Sequence, residues 1–364
     1  MIITDISKID KNFAIDTNID KDDIVYRDAR EDCFKLYGLI APDEKNGNDC
    51  YVRVPQDVAK ATNDGTYWNN RFTAGGRLRF RTNSDYIAIH AELNDKEGLM
   101  PHMPATGSKC FDLYEKIDGQ EFFVKAFTSL EGIQDQVYDF REKGVMHEIT
   151  LNFPLYNGIE KLSIGLQESA VIEEPTPYIN DKPVIFYGSS ITQGGCASRP
   201  GTCYQGYITR RFNLDYLNLG FSGSSRGDKA MVEYMSKLPM SIFIQDYDHN
   251  APNPEHLEKT HHYVYKSIRD THPVIPIIMI SKPDYHNIFN SLDCNERFEI
   301  IKKSYEDAVA SGDKNVYLID GRTFLDGLEG AEGSVDGCHP TDLGFYFMGK
   351  KIGDLIGEIL AKEK

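Results

Sequence analysis

The 364-residue chain divides into two units of different class: an antiparallel all-β part over 1–180 and an α/β part with a parallel sheet over 181–364. Three observations predict this. Up to about residue 172, short apolar/polar alternations are separated by polar turns, with almost no helical periodicity. Residues 173–183 then hold Pro175, Pro177 and Pro183 among several charges, which stops regular structure there. From Val184 onward, β-branched and aromatic runs alternate with helical stretches, the pattern of a parallel sheet with helices on both sides.

Within the first part, residues 77–81 alternate strictly between arginine and Leu78 or Phe80, as a half-buried strand should. Residues 85–92 form a second strand pattern. The turn-forming Asn83, Ser84 and Asp85 between them predict a hairpin. Further strands are predicted at 51–54, 110–116, 121–127, 147–152 and 161–166, a set that suits a sandwich or jelly roll. Trp68, the chain's one tryptophan, stands between Tyr67 and Asn69, Asn70 and Arg71. Such a cluster can stack on and hydrogen-bond a sugar, or serve as a core or inter-domain contact. Trp68 is therefore a candidate substrate contact.

In the second part, Val184, Ile185, Phe186 and Tyr187 make a strand apolar on both faces, as in the middle of a parallel sheet. Helix and strand then alternate: helix 203–212, strand 215–219, helix 228–238, strand 241–246, and a helix over 254–270 that Pro254 opens. Strand 274–281, helix 293–310, strand 316–320 and a last helix over 341–360 follow. That last helix gathers Met348, Ile352, Leu355, Ile356, Ile359 and Leu360 on one face.

The net charge is −16, which argues against nucleic acid or an anionic membrane as partner, since those contacts need clustered Lys and Arg. No run of about 18 apolar residues is present to span a bilayer. The first residues lack the basic-then-apolar order of a secretory signal, and the seven cysteines are scattered and odd in number. Reduced thiols and a cytoplasmic location are the expectation. Asp246, Asp248 and His249, or the adjacent His261 and His262, are metal-binding residue types. None has zinc-site spacing, so no metal and no cofactor are expected. Adjacent histidines point to different faces of a helix, which places His261 and His262 at the surface.

The chemistry gathers at strand ends. Gly188-Ser189-Ser190 follows the first strand of the second part, Ser222-Gly223 the second, and Asp248-His249-Asn250 the third. Asp336-Gly337-Cys338-His339 precedes the last helix. In a parallel sheet these ends open onto one edge, where such folds put their sites. A serine hydroxyl is a weak nucleophile and needs a base. His339 can be that base, and Asp336, three residues earlier, can fix its tautomer. The oxyanion formed on attack needs donors, and the N–H groups of Ser190 and Gly223 and the Asn250 amide are placed to supply them. Ser189 and Ser190 both remain candidates for the nucleophile on these grounds.

On these residues the second part resembles the SGNH hydrolases, a branch of the GDSL esterases. The resemblance implies a flavodoxin-like three-layer catalytic domain with Ser190 as nucleophile, Gly223 and Asn250 as oxyanion donors and Asp336/His339 as the acid–base pair. One departure stands out: the family's Gly-Asp-Ser is here Gly188-Ser189-Ser190. The stretch from Ser190 to Gly201, with Phe111-Asp112-Leu113-Tyr114 upstream, is similar to two-domain bacterial members with an N-terminal β-sandwich. Related proteins remove O-acetyl groups from polysaccharides. The expectation is a serine esterase acting on short acyl, above all acetyl, esters of a sugar or oligosaccharide. Arg199, just past the nucleophile loop, is either a substrate contact or a loop brace. An acyltransferase, or a carbohydrate-binding protein with a spent hydrolase domain, are the alternatives. Assembly as a homo-oligomer is left open.

Overall fold

The computed structural model describes residues 10, 17–43, 48–94, 100–128, 132–283, 293–328 and 332–362. The first unit contains β1 (Ile24–Asp28), β2 (Lys35–Tyr37), α1 (Gln56–Thr62), α2 (Asp64–Asn69), β3 (Arg77–Thr82), β4 (Tyr86–Leu93), α3 (Ala105–Ser108), β5 (Phe111–Ile117), β6 (Gln120–Phe127), β7 (Ile133–Asp139), β8 (His147–Asn152), β9 (Ile159–Gln167) and β10 (Ile172–Glu173). They form two antiparallel sheets, ordered β1-β9-β4-β7 and β10-β3-β8-β5-β6, with β2 also paired to β3. Alternate residues of both sheets meet in one core: Leu78, Phe80, Leu113, Ile149 and Leu151 from one, Ile87, Ile89, Leu162 and Ile164 from the other. The period of two along each strand makes this possible.

Several expectations are corrected here. β3 and β4 do not form a hairpin: β3 pairs with β8, β2 and β10, and β4 with β7 and β9. The turn between them is a corner from one sheet to the other, held by Ser84 Oγ donating to Tyr86 O at 2.7 Å. Turn-forming residues reverse a chain equally well in either case. Residues 51–54 make only a single bridge, Val52 to Ile40. The helices α1 and α2 that follow are too short to leave a period. Asn63 starts α2 by accepting from Thr66 N at 2.8 Å, while its amide donates to Ser224 O at 3.0 Å in the second unit. β1 and β7, the outer strands of one sheet, carry partly exposed residues, so their apolar signal is weak.

The arginine face of β3 is also not solvated. Arg77 and Arg79 are 2% and 1% exposed. Asp215 and Tyr216 of the second unit, together with Tyr178, cover this face. Arg77 pairs with Asp215 at 2.5 Å, donates to Tyr178 OH at 3.1 Å and lies 4.1 Å over the Tyr216 ring. Arg79 pairs with Glu148 at 3.1 Å and lies 4.1 Å over Tyr178. Alternation in sequence records side-chain chemistry and not what is stacked against it.

No helix or strand is formed between β10 and β11 (Val184–Gly188). The second unit continues with α4 (Ser190–Gln193), α5 (Tyr204–Phe212), β12 (Tyr216–Gly220), α6 (Lys229–Met235), β13 (Ile242–Asp246), α7 (Pro254–Thr271), β14 (Ile277–Ile280), α8 (Cys294–Ala310), β15 (Val316–Ile319) and α9 (Asp342–Lys362). Its five strands are parallel, in the order β12-β11-β13-β14-β15. Val184 and Phe186 pack toward α5 and α9, and Ile185 and Tyr187 toward α6, α7 and α8. A central strand buried on both faces must be apolar throughout, which is why 184–187 reads as a continuous run. Among the described residues no helix is long and apolar enough to cross a membrane.

Removing one partner of a buried ion pair costs about 3–5 kcal/mol, because the other charge stays uncompensated. Asp215→Ala is expected to cost that much in urea denaturation followed by circular dichroism. A loss within about 0.5 kcal/mol, the range of ordinary surface changes, would show that Arg77 does not depend on the pair.

Candidate active site

β11 lies where the strand order reverses, with β12 on one side and β13 on the other, and Gly188, Gly220 and Asp246 stand in register at the carboxyl edge. Open α/β sheets form their crevices at such a point. Glycine is required at 188: a Cβ there would lie 1.9 Å from Thr192 Oγ1 and 2.4 Å from Asp246 O. The next residue, Ser189, is buried and caps α4, its Oγ accepting from Ile191 N at 3.2 Å. This turns Ser190 out at the first helical position, with its Oγ 2.9 Å from His339 Nε2. Of the two adjacent serines, the geometry brings Ser190 to the imidazole and gives Ser189 to the backbone.

His339 sits in a loop that holds itself. Asp336 Oδ1 accepts from the N–H groups of His339 at 2.7 Å and Cys338 at 2.9 Å, and its Oδ2 lies 2.8 Å from His339 Nδ1. Ser334 Oγ accepts from Gly337 N at 2.8 Å, and Val335 N donates to His339 O at 3.0 Å. Partial burial pushes the Asp336 carboxyl up, but its hydrogen bonds with His339 and Cys338 outweigh this and leave it below the ordinary carboxylate range. An ionised Asp336 accepts a hydrogen bond from Nδ1–H and leaves Nε2 to accept from Ser190 Oγ.

Gly223 and Asn250, the expected oxyanion donors, lie on two loops. Gly223 has φ +67°, the left-handed region, and a Cβ there would meet nothing within 4 Å. Phe221 N donates to Gly188 O at 3.0 Å, and Ser222 N to Gln193 Oε1 at 2.9 Å, which ties this loop to the Ser190 turn. Asn250 uses one amide N–H on Phe221 O at 2.9 Å; an amide nitrogen carries two. The structure therefore gathers Ser190, Gly223 and Asn250 around one connected set of turns.

Three residues of the first unit enter here, and sequence reasoning missed them. Tyr156 OH donates to Ser190 O at 3.2 Å. Arg53, fully buried, donates to Gly220 O and to Asn69 O (2.7 Å for the latter) and lies 4.2 Å over the Phe221 ring. Burial pulls its pKa down to about 9, which leaves it charged at neutral pH. His102 lies beside His339, ring centroids 5.6 Å apart. None has a fixed spacing to the serine or histidine that a motif could reveal.

The two expected substrate contacts stand elsewhere. The Arg199 guanidinium pairs with Asp112 at 3.0 Å, hydrogen-bonds Tyr114 OH and lies 3.9 Å over Phe123. Asp112 is itself buried and accepts from Gly201 N at 2.8 Å. Arg199 braces the nucleophile loop against β5 and β6. Trp68 is half-exposed on α2, with Arg71 3.8 Å over its ring. It lines a surface cavity of about 430 Å³ with Asp49, Gln56, Arg71 and Glu160, and not with Ser190 or His339.

Beneath the site, Asp246 is buried and accepts from Thr192 Oγ1 and Tyr204 OH, both at 3.0 Å. Burial, and then the charge of Asp248, push its pKa up to about 8. Burial likewise raises Asp248 to about 6, against the Lys282 N–H it accepts at 2.9 Å. His261 is buried, contrary to the surface position expected, and burial lowers it to about 3 as it stacks on Tyr247.

Residues 181–356 match the GDSL-like lipase/acylhydrolase family, and residues 24–172 match the N-terminal domain of SGNH hydro-type esterases. The chain belongs to the SGNH/GDSL hydrolases, as a member with an N-terminal β unit. No curated protein matches it in sequence. Among solved structures it is similar to a candidate GDSL-like lipase from Bacteroides ovatus, with 29% identity, a TM-score of 0.83 and coverage of 93% of this chain and 98% of that one. A salicylyl-acyltransferase from a tetracycline biosynthetic pathway shares the fold at 19% identity and TM-score 0.76, covering 93% and 99%. So does an acetyl xylan esterase from the rumen bacterium Butyrivibrio proteoclasticus, at 14% and 0.57, covering 93% and 99%.

A folded aspartic acid that keeps its proton past the pH at which the unfolded chain releases it stabilises most at low pH. That stability is lost as pH rises toward the folded pKa, here about 8. The parent's melting temperature is expected to fall between pH 6 and 8, and Asp246→Asn should flatten that fall. An unchanged slope would mean that Asp246 is already ionised in the folded chain.

Proposed function

We propose that the protein is a serine esterase that removes short acyl groups, chiefly acetyl, from a carbohydrate. The observation that carries the reading is the chain of contacts from Ser190 Oγ through His339 Nε2 and Nδ1 to Asp336, 2.9 and 2.8 Å long. Ser190 attacks the ester carbonyl while His339 takes its proton. The N–H groups of Ser190 and Gly223 and the Asn250 amide hold the oxyanion. His339 then protonates the leaving alcohol, and a water activated by the same imidazole cleaves the acyl-enzyme. Asp336, ionised, stabilises the imidazolium that forms in each step. Support for an acetylated sugar comes from the acetyl xylan esterase that shares the fold.

A second reading uses the same residues with an alcohol in place of water. It is favoured by the acyltransferase, whose TM-score to this chain exceeds that of the acetyl xylan esterase. Mass spectrometry of products from acetylated oligosaccharides, with and without an added sugar acceptor, separates the two. Free acetate alone supports hydrolysis, and an acetylated acceptor supports transfer.

Ser190→Ala should lower turnover of p-nitrophenyl acetate by about three orders of magnitude or more, as loss of a triad member does. Near-normal turnover would reject the nucleophile. Asp336→Asn should cost up to ~10⁴; a loss under about threefold would mean that another group orients His339.

A further inference from the structure

The expectation of no metal rested on sequence spacing, and the fold brings together donors that spacing separates. One ligand atom from each of His102, Cys196 and His339 lies within 4.8 Å of the others. Donors around tetrahedral zinc, at bond lengths of about 2.0–2.3 Å, stand roughly 3.3–3.8 Å apart. The gap to close is about 1 Å. His102 is exposed and can cover it by a side-chain shift. Cys196 is 7% exposed and held at φ +75°, a region that a non-glycine residue rarely adopts. The turn that holds it there is fastened by Gly195 N on Ser190 O at 2.8 Å and Ala197 N on Gly194 O at 3.1 Å. His339 Nδ1 already faces Asp336, so Nε2, now in contact with Ser190 Oγ, is the ring nitrogen that an ion would take. Imidazoles that bind metals are commonly oriented by a carboxylate on the other nitrogen in this way.

We propose that His102, Cys196 and His339 form an inhibitory site for a zinc-like divalent cation, with Ser190 Oγ or a water as fourth ligand. The ion takes the Nε2 lone pair that would receive the serine proton, and Cys196 gives its thiol proton to solvent. No electron is transferred. One thiolate and two imidazoles select Zn²⁺, Co²⁺ or Cd²⁺ over Mg²⁺ or Ca²⁺, which require oxygen ligands. The exposed His102 side gives the ion its way in. The inhibition, though not the binding, rests on the esterase reading.

The full chain, stripped with EDTA and dialysed, is titrated with Co²⁺ and followed by absorption, which does not depend on activity. One equivalent should give tetrahedral ligand-field bands and a thiolate-to-cobalt charge-transfer band. Cys196→Ser should abolish the charge-transfer band. His102→Ala should weaken binding at least ~10-fold, since even outer partners of metal ligands cost 10–100-fold. Cys338→Ser should leave the spectrum unchanged. In parallel, Zn²⁺ should inhibit p-nitrophenyl acetate hydrolysis, EDTA should restore it, and the Zn²⁺ concentration for half-inhibition should rise at least ~10-fold in the Cys196 and His102 variants, each read against its own metal-free rate. Absence of the band at stoichiometric Co²⁺, its survival in Cys196→Ser, or undiminished binding in His102→Ala would overturn the site. A chain with no hydrolysis but an intact cobalt spectrum would overturn the esterase reading and leave the metal site standing.

Discussion

The arrangement depends on one contact between two loops 149 residues apart, Ser190 Oγ to His339 Nε2. Neither loop reaches it by side-chain reach alone. Ser190 is fixed because β11 ends in a glycine that no larger residue can replace and because Ser189 caps the following turn. His339 is fixed because Asp336 binds its ring and its backbone at once. Each loop is rigid on its own terms, so the sheet edge only has to bring two finished pieces to the right separation. Preorganisation of this kind lets a hydrogen bond act in catalysis without reorganisation at the moment of reaction.

The N-terminal sandwich is part of that preorganisation. Arg53 and Asn69 hold the carbonyls of Gly220 and Ser222, either side of Phe221, and Tyr156 holds that of Ser190. Arg199 reaches back to Asp112, and Arg77 to Asp215. These contacts set guanidinium, amide and phenol donors against backbone carbonyls and carboxylates, pairings that are costly to leave half-made when buried. The two units therefore behave as one support for the site, and the guanidinium of Arg53 also places a positive charge beneath the loop that carries Gly223.

The α/β unit was legible because its signals are local. A buried parallel strand is apolar throughout, and its helices are long enough to show a period: helix 254–270 in the sequence is Pro254–Thr271 in the structure. The site was legible for the same reason, since chemistry in such a sheet lies just past the strand ends. What failed was set by contacts between segments far apart in the sequence. Arg77 and Arg79 read as a solvent face, the corner at Ser84 as a hairpin, and Arg199 as a possible substrate contact. His102, Tyr156 and Arg53 carried no signal at all, because nothing in a sequence marks which loop of one domain will meet the edge of another.

The most direct measurement is covalent trapping. The protein is treated with a fluorophosphonate, and the modified peptide is mapped by mass spectrometry, in the parent and in His339→Ala. The account expects a single adduct on Ser190 that His339→Ala suppresses. An adduct on Ser189, or labelling of Ser190 that persists without the imidazole, would contradict it.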